Sequence, residues 1–87
     1  MSPLVSIVIN NYNYSNYIRK AIESSLSQTY KYIELIIVDD GSTDESRTII
    51  NEFKGLARII LKENGGQASA MNVGIVEAKG DFILVLN

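Results

Sequence analysis

The 87 residues are enough for one domain, and 46% hydrophobic with 21% charged side chains describes a chain that folds rather than one that stays disordered. Ten acidic against eight basic residues leave a net charge of −2, with no basic patch to point to nucleic acid as a partner. Cysteine and histidine are both absent, which excludes a disulfide framework and the usual zinc ligand sets.

The pattern along the chain alternates strand and helix signals. The first apolar run, 4–9, has strand length and ends at Asn10-Asn11. A helix is predicted over 16–28, with Ser15 as its N-cap and Ile18, Ala21, Ile22 and Leu26 on one stripe. A second strand follows at 33–38. Ser42-Thr43-Asp44-Glu45 has capping-box spacing and predicts a helix over 44–53, with Ile49, Ile50 and Phe53 facing inward. The third strand is 57–61. A third helix is predicted over 67–78, with Ala68, Met71, Ile75 and Ala78 as its stripe and Gly80 as its stop. Gly74 inside it suits close helix–sheet packing. Asn72, on the same helix, is open to two readings, support of a site or a bond to loop backbone. The fourth strand is 82–86.

The strand runs are continuously apolar, as expected of strands covered on both faces. The order βαβαβαβ therefore implies an α/β domain with a parallel sheet and right-handed crossovers. No run reaches the ~18–20 apolar residues of a membrane span, and Met1-Ser2-Pro3 lacks the basic start of a signal peptide. The chain reads as soluble. It ends on an apolar strand, which reads as a fragment of a larger domain.

In a parallel sheet all strand C-termini share one edge, and ligands bind there. Segments 10–14, 39–42 and 63–67 meet at that edge with Asn87, and they are crowded with Asn, Asp, Gly and Tyr. Asp39 and Asp40 must point different ways, so one can accept a ligand N–H while the other caps a turn; capping by both is an equal reading. Tyr12 and Tyr14 offer ring faces for stacking or simply pack over the sheet edge. Asn64-Gly65-Gly66 precedes a helix and could meet phosphate, or serve as a plain turn. It is neither a P-loop nor a dinucleotide fingerprint. An acidic pair after the first strand, as a phospho-receiver needs, is missing.

Taken in order, the segments are more specific than any one alone. The runs 5–13, 26–30, 37–44, 64–66, 70–75 and 78–83 resemble family 2 glycosyltransferases along nearly the whole chain, most strongly at Ile37-Val38-Asp39-Asp40-Gly41-Ser42-Thr43-Asp44. The resemblance implies a GT-A fold with strand order 3-2-1-4, the first two helices on one face and the third on the other. It implies transfer of a sugar from a nucleotide-diphosphate donor, UDP-sugar being the expected one, to an acceptor hydroxyl. Asn10 and Tyr12 are then expected to line the base pocket, Asp40 to accept the uracil N–H, Asp39 to stand beside it with a less defined role, and Asn64 to border the diphosphate.

Residues 1–87 are on this reading the N-terminal nucleotide-sugar-binding portion of the domain. The family's D-x-D motif for Mg or Mn is expected just after Asn87, so no metal ligand and no catalytic residue is assigned here. The fragment is expected to bind nucleotide, to be inactive alone, and to self-associate through its fourth-strand edge. The partners implied are a nucleotide-sugar donor and a saccharide or lipid-linked acceptor. The expected location is cytoplasmic, with membrane association of the full-length protein left open. The rival reading is a non-enzymatic nucleotide-binding module of the same fold.

Overall fold

The computed structural model describes residues 2–86, so Asn87 lies outside the described residues. The elements are β1 (Val5–Asn11), α1 (Ser15–Leu26), β2 (Ile33–Asp40), α2 (Ser46–Asn51), β3 (Arg58–Lys62), α3 (Gln67–Glu77) and β4 (Phe82–Leu86). All pairings are parallel and the strand order is β3-β2-β1-β4, the order expected. The topological switch falls at β1, which pairs with β2 on one side and β4 on the other.

Side-chain alternation divides the apolar runs between two faces. Ile7, Ile9, Leu35 and Ile37 pack on Ile18 and Ile22 of α1 and on Ile50 and Phe53 near α2. Val8, Ile36 and Val38 face the other way, onto Ala70 of α3 with Val73 beside it. The two central strands are thus buried on both faces, which is why they lack polar alternation. The outer strand β4 is less covered: Phe82, Ile83 and Leu84 remain exposed.

Three local expectations change. First, β1 and β2 run two residues further than expected, so Asn10-Asn11 and Asp39-Asp40 are strand residues with fixed register, Asn11 opposite Asp39. Second, the helix caps differ. Ser15 begins α1 rather than capping it, and its N–H donates to Asp44 Oδ2 at 3.0 Å. The capping box does not form either, because α2 starts later, at Ser46. The Ser42 hydroxyl is drawn to Asp39 instead, and Asp44 Oδ1 accepts the Ser46 N–H at 2.8 Å. One carboxylate therefore serves the first turns of both helices.

Third, α3 is rotated from its expected stripe. Ala70 and Gly74 face the sheet, while Ala68 and Ile75 are exposed. The cause is close approach: a Cβ at position 74 would lie 2.3 Å from Val8 Cγ1. Small residues let the helix backbone settle on β1, and the dispersion attraction of that close packing outweighs burial of the larger Ile75. On α1, similarly, Ser25 is buried with its hydroxyl donating to the Ala21 carbonyl, and Leu26 is exposed.

Candidate functional site

Two loops at the C-terminal sheet edge are clasped together. Asn13 adopts φ 56°, a left-handed conformation that Asn tolerates better than most residues. That bend aims its side-chain Oδ1 at the backbone N–H groups of Thr43 (2.7 Å) and Asp44 (3.3 Å). Its own N–H donates to the Ser42 hydroxyl at 3.0 Å. The β1–α1 and β2–α2 loops are thereby held in one piece.

Asp39 lies beneath this clasp with no solvent exposure. Its Oδ1 accepts from Asn11 Nδ2 (2.9 Å) and the Ser42 hydroxyl (2.6 Å). Its Oδ2 accepts from the Ser42 N–H (2.9 Å) and Arg47 Nε (2.8 Å). Burial pushes this carboxyl up, but Arg47, Ser42 and Asn11 together outweigh it and hold it below the ordinary carboxylate range. The second arm of Arg47 donates to the Lys62 carbonyl at 2.8 Å, tying α2 to the end of β3.

Asp40 points to the other side of the strand and meets the β3–α3 loop. Lys62 Nζ (2.7 Å) and the Gly65 N–H (2.9 Å) donate to Oδ1. The Gly66 N–H (2.9 Å) and Asn64 Nδ2 (3.2 Å) donate to Oδ2. Burial again pushes the carboxyl up, and the Lys62 ammonium with the two glycine N–H groups holds it below the ordinary range. The loop can come this near because residue 41 is glycine. Its φ is +78°, and a Cβ there would stand 2.5 Å from the Asn64 nitrogen.

A cavity of about 590 Å³ opens beside Asp40. Of the residues expected at the site, Asn10, Tyr12, Asp40 and Asn64 line it, joined by Tyr14 and Gly66. Asp39 does not line it. Tyr12 is exposed at the rim, and Tyr14 meets Tyr17 edge to face, with ring centroids 6.4 Å apart. The lining therefore combines aromatic faces, a buried carboxylate and amide groups, the mixture that suits a planar heteroaromatic ligand with N–H groups. The Gly65 and Gly66 N–H groups, read from sequence as phosphate donors, are instead committed to Asp40.

Asp39 and Asp40 do not make a cation site. Each faces a side-chain cation and several N–H donors, and the described residues contain no grouping of three His, Cys, Asp or Glu side chains that could hold a metal ion. Sequence reading missed Arg47 and Lys62, and took in Asn13 and Gln67 only as members of the polar edge segments 10–14 and 63–67. Lys62 had a legible signal: it stands directly opposite Asp40 in the β2–β3 register, where side chains share a face. Arg47 had none, since its reach depends on where α2 starts.

A parallel α/β sheet with a cavity at its switch point is an open α/β domain of the class that binds ligands at the carboxyl ends of its strands. The family model described as glycosyl transferase family 2 matches residues 6–87, and the chain belongs to that family. It is similar to an uncharacterized glycosyltransferase of Rickettsia prowazekii, 53% identical over 81 residues that cover 93% of this chain and 26% of the relative. Among solved structures it is similar to S. aureus TarS residues 1–349 in complex with UDP-GlcNAc, with TM-score 0.83 and 27% identity over 95% of this chain and 26% of that one. The mannosyltransferase PcManGT from Pyrobaculum calidifontis, in complex with GDP-Man and Mn2+, shares the fold, with TM-score 0.81 and 23% identity over 95% of this chain and 26% of that one. The chain thus spans about a quarter of the length of each of these three proteins.

Proposed function

We propose that these residues are the donor-nucleotide portion of a glycosyltransferase that moves a sugar from a UDP-sugar to an acceptor hydroxyl on a saccharide or lipid-linked substrate. The observation that carries the reading is the cavity in which the buried carboxylate of Asp40 and the ring of Tyr12 stand together. Uracil offers one imide N–H between two carbonyls, which a carboxylate acceptor under an aromatic face can receive. Cytosine, whose ring nitrogen at that position is an acceptor, would be repelled. The similarity to TarS, solved with UDP-GlcNAc, points the same way.

In this reading Asn10, Tyr12, Asp40 and Asn64 orient the nucleotide, and the chemistry is transfer at the anomeric carbon with the nucleoside diphosphate leaving. Asp39 is assigned a structural role. The diphosphate's charge calls for a divalent cation, Mg or Mn. Since Asp39 and Asp40 are committed to Arg47 and Lys62, neither is proposed as a ligand of that cation, and the 87 residues alone are proposed to bind nucleotide without turnover. Cytoplasmic location belongs to the same proposal. So does self-association of the isolated chain through β4, supported by the exposure of Phe82, Ile83 and Leu84 on an edge strand. Sedimentation as a monomer at high concentration would remove that part alone.

The test is calorimetric titration of the chain with UDP, GDP and CDP, repeated with Asp40→Asn. Binding that favours UDP and disappears in the variant supports the reading. Equal binding of the three, or binding untouched by the substitution, overturns it.

A further inference from the structure

Resting on the reading of Asp40 as nucleobase acceptor, we propose that Lys62 is the positioning residue that keeps the Asp40 carboxylate turned and ionised for its ligand. Four donors meet the four lone-pair sites of this carboxylate. They divide by side. Lys62 and Gly65 hold Oδ1, and neither lines the nucleobase cavity. Gly66 and Asn64 hold Oδ2, and both line it. The oxygen open to exchange with a ligand is therefore Oδ2.

The exchange has an obvious leaving partner. Asn64 Nδ2 makes the longest of the four bonds, 3.2 Å, and already has a second acceptor in the Asp40 backbone carbonyl at 3.0 Å. An incoming imide N–H takes its place on Oδ2 while the amide stays on the carbonyl. Lys62 keeps Oδ1 throughout.

Lys62 is built for this task. It reaches Asp40 from a separate hollow of about 400 Å³ beside Gly41 and Arg47, and so does not compete with a ligand for space. Its side chain is only 18% exposed, and its ammonium is fixed a second time by the Glu63 carbonyl at 2.7 Å. Its own carbonyl is held by Arg47, and its backbone by register opposite Asp40. It is also the charged group that faces Asp40. Asp39 is turned to the opposite side of β2 and paired with Arg47. From β1 comes Asn10 and from α3 Gln67, both uncharged, while Asn11 is bonded to Asp39.

The test measures UDP binding from about pH 2.5 to pH 8 for the wild-type chain, Lys62→Met, Lys62→Arg and Asp40→Asn, with carboxyl-carbon NMR following Asp40 in each variant that retains it. Lys62→Met keeps the aliphatic stem and removes the charge. Expected is about a tenfold weaker affinity at pH 7, with the acid-side midpoints of both UDP binding and the Asp40 carboxyl signal moved to higher pH, and near-recovery in Lys62→Arg. A simple packing role would not move the midpoints. If Asp40→Asn abolishes binding while Lys62→Met keeps wild-type affinity and midpoints, the role of Lys62 falls and that of Asp40 stands. If wild type does not bind UDP, or Asp40→Asn binds it unchanged, both fall together.

Discussion

Asp39 and Asp40 are neighbours in sequence, both buried and both ionised, yet they belong to different parts of the machine. The Asp39 corner is closed: Asn11, Ser42 and Arg47 converge on it from β1, the following loop and α2, and Asp39 itself lines neither the cavity nor the hollow beside Arg47. The Asp40 corner is held mainly by one loop and opens onto the cavity. Strand alternation alone produces the split, because adjacent residues of β2 face opposite sides. One acid welds the sheet edge; its neighbour is left with an oxygen beside a space that a ligand can fill.

The largest expected effect is on stability at the closed corner. Asp39→Ala should cost about 3 kcal/mol in urea denaturation, since it leaves Arg47 and Asn11 without their buried acceptor. A cost equal to that of Asp40→Ala would erase the distinction between the corners. Next comes the open corner, read through affinity. Tyr12→Ala should weaken UDP by about 1–3 kcal/mol, the worth of one base stack, with the denaturation midpoint unchanged because the ring is exposed.

Gly74→Ala sharpens the comparison from the far side of the sheet. The added methyl meets Val8 and pushes α3 outward, at a cost of about 1–3 kcal/mol. Because α3 carries the loop that holds Asp40, amide exchange should rise at Gly65 and Gly66 and stay unchanged at Ser42.

Acid titration gives a smaller, shared effect. Asp39, Asp40 and Asp44 are all held below the ordinary carboxylate range in the folded chain. The unfolded chain therefore binds protons first as pH falls. Stability from these groups is complete above the unfolded carboxylate range and is lost as pH drops through their folded values. Urea midpoints should be flat near neutrality and decline below about pH 4, and Asp39→Asn should flatten the decline more than Lys62→Met. The smallest effect is predicted for Arg19→Ala. Its pair with Glu52 joins α1 to α2 with short contacts of 2.6 and 2.7 Å, but both partners are exposed and solvent screens them. The melting temperature should not move measurably.

The element order, the helix count and the polar edge were legible because apolar runs of strand length and clustered Asn, Asp and Gly are local signals; the sheet order was implied only by the family resemblance. The two acids were legible as a pair pointing apart, but the direction of each was not. That depends on β2 continuing to Asp40, which hydrophobicity cannot show once the residues turn acidic. The stripe of α3 is misleading for a related reason: hydropathy favours Ile75 as the inward residue, whereas the close approach to Val8 favours Gly74. Lys62 sat in plain view, and its importance required only the pairing of β3 with β2.

The most direct test of the division between the corners is amide chemical-shift mapping of the chain as UDP is added. Perturbations centred on Tyr12, Gly65 and Gly66, with Ser42, Thr43 and Arg47 still, are the predicted result. Perturbations centred on Ser42 and Arg47 would place the ligand at Asp39 and contradict it.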